Sequence, residues 1–150
     1  MDNQEIQIYH KHRYPYLLID SVGEIMPGKM AIGYKYFSEN EWLFHCNSVE
    51  DQPVPFTMVV EILTEVSLMP ILVIDDNKGK VTNFISADNV FMNRDIYPGD
   101  KLDIESHVIS WRRGVAKCKA EGFIDGELVC GAELKFVIPD IMDQFKPKIR

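Results

Sequence analysis

The stretch Pro55-Phe-Thr-Met-Val-Val-Glu-Ile-Leu-Thr-Glu-Val-Ser-Leu-Met69 is the most apolar in the chain, and an acid, Glu61, stands near its middle. Proline fits a first helical turn and ends or kinks a helix later on. The spacing therefore predicts a helix of about four turns from Pro55 to Met69, stopped at Pro70. On a 3.6-residue period Thr57, Glu61, Thr64 and Glu65 share one face, and every other position but Ser67 is apolar. A helix greasy around most of its circumference belongs inside a protein. A carboxylate carried inside resists ionisation unless it is paired, which makes Glu61 a candidate general acid. The same stripe also reads as the wet side of an amphipathic helix, and periodicity leaves both readings open.

The rest of the chain bounds the partners. At 150 residues it is long enough for one domain with a real core, 1–150, and its net charge is −7 with a pI near 5.0. Nucleic-acid binding by bulk electrostatics is disfavoured, because phosphate backbones want a basic surface. The acidic opening Met-Asp-Asn-Gln-Glu lacks a signal-peptide pattern. The longest apolar run, Val66 to Ile74, is too short for a bilayer. No membrane partner and a cytoplasmic location are expected. Cys46, Cys118 and Cys130 are scattered and odd in number, which suits reduced thiols, and no spacing suggests zinc or another cofactor.

Short extended pieces precede the helix, Tyr16–Asp20 and Met30–Phe37, with a turn at Pro27-Gly-Lys29. A loop is expected at Asp75–Gly79. The last part of the chain alternates with period two. Ala116, Cys118, Ala120, Gly122 and Ile124 share one face of a strand; Leu128, Cys130, Ala132, Leu134 and Phe136 share one face of the next. Asp125-Gly126 is a strong hairpin signal between them, and Arg112-Arg-Gly114 turns into the first from Leu102–Trp111. Three consecutive antiparallel strands follow. Their small inward residues leave room for a bulky cover, and the apolar helix needs burial. The expected class is α+β, a long central helix wrapped by a curved antiparallel sheet, with a polar tail over 138–150.

These pieces have a familiar order. His12-Arg-Tyr-Pro-Tyr-Leu-Leu-Ile-Asp20, Pro27-Gly-Lys29, Val60-Glu-Ile-Leu-Thr-Glu65, Tyr97-Pro-Gly-Asp100, Arg112-Arg-Gly114 and Asp125-Gly-Glu-Leu-Val129 stand in register with motifs of the bacterial 3-hydroxyacyl-acyl-carrier-protein dehydratases, over about 10–137. In that family Glu65 corresponds to a glutamine. The resemblance implies the hotdog fold and dimers joined through edge strands. It also implies an active site that takes a glutamate from one protomer and a histidine from the other.

The histidine is where this chain departs. Aligned without gaps from Glu61, the family's histidine falls on Asn47, whose amide does not titrate usefully. The family's helix-start glycine, whose N–H polarises the thioester carbonyl, becomes Phe56. Its N–H survives at a helix N-terminus, but a benzyl group stands where substrate must approach. Asn47, Phe56 and Thr57 are the positions expected to meet substrate. His45 lies close enough upstream to return an imidazole to the site if the loop shifts; it also reads as an ordinary loop residue. Cys46 reads as structural, and so does His12, which matches the family outside its catalytic motif.

The resemblance therefore implies a dehydratase-like protein of fatty-acid or polyketide-type synthesis, acting on an acyl thioester of acyl carrier protein or coenzyme A. Three readings follow. It is incomplete alone and gains a histidine from a related hotdog subunit; or it is an active homodimer with His45 as base; or it is a hotdog thioesterase or acyl binder that needs no such histidine. An acidic carrier would need a basic patch on an acidic chain, for which Arg94, Lys101, Arg112 and Arg113 are the candidates.

Overall fold

Along the chain a one-turn helix α1 (Asn3–Ile6) precedes the hairpin strands β1 (Ser21–Met26) and β2 (Met30–Tyr36). A second short helix α2 (Trp42–His45) and the long helix α3 (Phe56–Leu72) follow, then strands β3 (Asn83–Met92), β4 (Lys101–Arg112), β5 (Val115–Ile124) and β6 (Glu127–Val137), and a last turn of helix α4 (Pro139–Met142). The structure, a computed structural model, describes residues 1–45 and 52–147. The strands form one antiparallel sheet in the order β1-β2-β4-β5-β6-β3, with α3 packed against it: the helix-in-sheet architecture expected.

Helix α3 forms over the apolar run but does not stop at Pro70. Proline lacks the N–H that would bond Val66, yet Ile71 and Leu72 stay buried against Ala116, Cys118 and Phe136. The end is closed by Val73 N–H on the Met69 carbonyl (3.1 Å) and Asn77 Nδ2 on Ile71 (2.9 Å). Burial of two more side chains outweighs one missing hydrogen bond, so the helix runs a turn further.

The small residues of β5 and β6 face this helix. Ala116, Cys118, Ala120, Cys130 and Ala132 are all buried in the two core clusters that α3 shares with the sheet. A further close approach comes from Gly33 in β2. A Cβ there would stand 2.8 Å from the Ser21 carbonyl oxygen and 3.1 Å from Val66 Cγ2. Beneath the helix the Ser67 and Ser106 hydroxyls pair at 2.8 Å, and Ser67 also donates to Leu63.

The Asp125-Gly126 turn forms with both residues at positive φ, as a two-residue hairpin of this hand requires. Its register brings one departure. Phe123 pairs with Leu128 while Gly122 pairs with Cys130, so Val129 is an extra residue in β6. The bulge carries Val129 into the core and leaves Leu128 outside, against the expectation that Leu128 faces inward. The C-terminal stretch is likewise not polar from its start. Ile138 is fully buried, its N–H bonds the Gly114 carbonyl at 2.8 Å, and Ile141 packs on the core.

Tyr16–Asp20, expected as an extended strand-like piece, is not strand; β1 begins at Ser21, and within the piece only the Asp20 N–H reaches β2, on the Tyr34 carbonyl at 3.1 Å. The reason lies on α3. The N–H groups of Leu18 and Ile19 donate not to a neighbouring strand but to Glu65 Oε2, at 2.9 and 3.1 Å.

Candidate functional site

The polar face of α3 is neither wholly wet nor wholly buried. Thr57 is exposed and Glu61 is 40% exposed, but Thr64 is buried with its hydroxyl on the Val60 carbonyl (2.8 Å), and Glu65 is 0% exposed. The stripe enters the core obliquely as the helix does. The solvated-face reading thus holds for its first turn and fails for its last two polar positions.

Glu65 is a buried carboxylate with its acceptors filled. Besides Leu18 and Ile19 on Oε2, its Oε1 accepts from His12 Nδ1 at 3.1 Å. The same Nδ1 lies 3.6 Å from Glu61 Oε1. His12, which reads as structural in the sequence, therefore stands between the two acids. No spacing along the chain signals this, because the partners are 53 positions apart. The clue in hindsight is Glu65: a second acid on an apolar helix needs a donor from elsewhere, and the nearest conspicuous imidazoles are His10 and His12.

The electrostatics follow from this geometry. Glu61 is raised above the ordinary glutamate range, first by removal from water and then by the Glu65 charge, while His12 pulls it back. His12 is raised above the ordinary histidine range, chiefly by its hydrogen bond to Glu65; burial opposes this, and the Glu65 and Glu61 charges add to it. His10 goes the other way. Its ring lies 4.6 Å from that of His12, it is only 2% exposed, and its pKa falls to about 3 by burial and by the charges of His12 and Arg13. His10 Nδ1 accepts from the His12 backbone N–H (3.3 Å), which places the ring proton on Nε2, buried and without a partner among the described residues.

The ligand atoms of His12, Glu61 and Glu65 all lie within 4.8 Å of one another, a spacing that a divalent cation also uses. Here Nδ1 is spent on Oε1, and Oε2 on two backbone amides. The Glu65 oxygens already accept from the imidazole and the backbone, so His12 and Glu65 form a hydrogen-bonded pair, with Glu61 in ion-pair range of the same nitrogen.

Glu61 and His12 open onto a groove of about 530 Å³ between α3 and the loop before β1. Tyr14, Tyr16, Trp42 and Met58 supply its apolar walls, and Lys11 and Arg13 stand on its rim. An apolar groove with an acid on its wall suits an uncharged chain that carries one reacting polar centre.

The other expected site residues fall as follows. Phe56 is the first residue of α3 and is 48% exposed; it and exposed Thr57 lie one turn before Glu61. His45 closes α2, so its backbone is placed but its side chain is not described. Asn47 and Cys46 lie outside the described residues. Cys118 and Cys130 are buried free thiols whose pKa burial pushes up to about 12. The four cations expected as a docking patch do not share one. Arg94 pairs with Asp100 (2.8 Å) and Lys101 with Asp103 (2.7 Å), while Lys101 and Arg112 stand at opposite ends of a 12-residue strand, roughly 36 Å apart by strand rise.

An antiparallel sheet around an apolar helix, with an acid in the second turn of that helix, is the hotdog architecture of dehydratases. The chain belongs to the family of the FabA-like domain, whose model matches residues 10–133. It is 36% identical over 138 residues to the 3-hydroxyacyl-acyl-carrier-protein dehydratase FabZ of Bacillus velezensis, covering 92% of this chain and 98% of that one. To the FabZ of Bacillus subtilis it is 34% identical over the same shares of both chains. Among solved structures it resembles a chain of the dehydratase heterocomplex ApeI:P from Xenorhabdus doucetiae, with a TM-score of 0.76 at 14% identity over 93% of this chain and 95% of that one. An uncharacterized protein, PH1136 of Pyrococcus horikoshii, follows with a TM-score of 0.67 at 14% identity, over 88% and 91%. At such identity these two likenesses speak for the fold alone. Among the described residues no helix is long and apolar enough to cross a membrane.

Proposed function

We propose that this chain is one subunit of a 3-hydroxyacyl-acyl-carrier-protein dehydratase, supplying Glu61 as general acid and taking its base from a histidine-bearing hotdog partner. One observation carries the reading: Glu61 opens onto an apolar groove with its carboxyl raised, while the position that should hold the base is Asn47. His12 is a poor substitute base, because its Nδ1 is engaged by two carboxylates that favour its charged form. In the reaction the partner's histidine takes the α-proton, and Glu61 gives its proton to the leaving hydroxyl. Water and an enoyl thioester form. In this reading the free N–H groups that open α3 at Phe56 and Thr57 would stabilise the negative charge that develops on the thioester oxygen.

The partner would join at β3. The β1 edge is partly covered by the N-terminus, where Met1 and Val22 bond each other's backbone. Among the described residues nothing pairs with the outer edge of β3, and Phe84 and Ile85 are both 51% exposed there.

The test is dehydration of a 3-hydroxyacyl-acyl carrier protein, read by mass spectrometry. The chain is assayed alone and mixed with a histidine-bearing relative whose own glutamate is replaced. Enoyl product only in the mixture, lost with Glu61→Gln, is expected. Product from the chain alone, lost with His45→Ala, would mean a homomeric enzyme with His45 as base. Free acid as product would mean a thioesterase.

A further inference from the structure

We propose that Glu65 and His12 are positioning residues for Glu61: a buried carboxylate, anchored by two backbone amides, holds the imidazole that holds the acid. This rests on the reading of Glu61 as the general acid. The anchoring is geometric. Glu65 is fully buried and fixed by Leu18 and Ile19, and it points Oε1 at His12 Nδ1. The imidazole is thereby held 3.6 Å from Glu61, half-exposed on the groove wall. The links come from two places: the helix supplies both acids, and the loop before β1 supplies the imidazole and, from its backbone, the anchor.

The glutamine that the resemblance places at position 65 would offer the same amides an oxygen but no charge. Here the position is an acid, and this changes what Glu61 sees. A fixed negative charge one turn below Glu61 favours its protonated, proton-donating form, and the imidazolium beside it favours the ionised form. The acid thus sits between two opposed influences, set by residues that need not touch substrate. Among the described residues, the other charged or titratable groups on the groove are Lys11, Arg13 and the phenols of Tyr14 and Tyr16. Arg13 is engaged with the carbonyls of Gln7, His10 and His12, and His10 behind the imidazole stays neutral well into acid.

The test reads Glu61 directly and requires no activity. The full-length chain, labelled with ¹³C at glutamate side chains, is titrated by NMR, with Glu61→Gln to assign the signal. In Glu65→Gln the Glu61 titration is expected to move down in pH, since of its two charged neighbours Glu65 acts the more strongly. In His12→Gln it is expected to move up. Opposite shifts are the signature, because general loosening of the fold would move both variants alike. The alkaline limb of the dehydration rate, measured with the histidine-bearing partner, should follow in the same two directions. A Glu61 titration unmoved in His12→Gln, or moved the same way in both variants, overturns the proposal. Opposite shifts with no enoyl product under any pairing would leave this unit standing and remove only the dehydratase reading.

Discussion

Glu65 makes three hydrogen bonds from a fully buried position, two of them from backbone amides for which it is the acceptor among the described residues. Glu65→Ala strands both amides and opens a void, so it should destabilise the chain by about 2–5 kcal/mol in urea unfolding. Glu65→Gln, which keeps an amide oxygen for both donors, should cost far less. His10 makes a second prediction. Its folded pKa of about 3 lies below its ordinary 6.5, so the neutral form is the one that folds. Its stabilising contribution is complete above about pH 6.5 and is lost as the pH falls from there toward 3. His12 is raised, so its contribution is full below its ordinary value and lost as the pH climbs through its folded value. The two windows do not overlap. Urea unfolding across pH should show the acid-side loss, and His10→Asn should flatten it. At this scale the sequence was half legible. Glu61 announces itself as an acid among apolar neighbours. His12 does not, because what brings it to the site is a contact across 53 positions rather than any local pattern.

The elements were easier to read than the residues. Period-two alternation and the Asp125-Gly126 turn are enough to place β4, β5 and β6 as neighbours, and the small residues on β5 and β6 face the helix as their size suggests. What escaped is what depends on competition between elements. Leu18 and Ile19 look like strand and lose their ladder to a carboxylate; Leu128 looks inward and is turned out by one extra residue; Pro70 looks like a stop and is overruled by burial. β3 carries little alternation, since its outer edge and parts of both faces are bare. One test belongs here. Gly33→Ala would set a methyl group 2.8 Å from the Ser21 carbonyl oxygen and 3.1 Å from Val66. It should cost about 1–3 kcal/mol in thermal or urea unfolding, by prising α3 from the hairpin of β1 and β2.

On the scale of the whole molecule, an open β3 edge with two bare aromatic and aliphatic side chains is a liability unless something covers it. Charging it, with Phe84→Glu and Ile85→Lys together, should shift the chain toward monomer in sedimentation velocity while the far-ultraviolet circular dichroism stays unchanged. Loss of dehydration in the mixed assay should accompany that dissociation if the site is shared between subunits.

The Leu18 and Ile19 amides give the loop before β1 an unusual standing. By shape it is irregular backbone, but its two donors end on a carboxylate that opens only when α3 does. In a hydrogen-exchange map these two amides should stand out as a slow pair within a fast loop, exchanging in step with the core helix. The groove wall that carries Tyr14 and Tyr16 is thereby moored at one end to a buried side chain of the core helix.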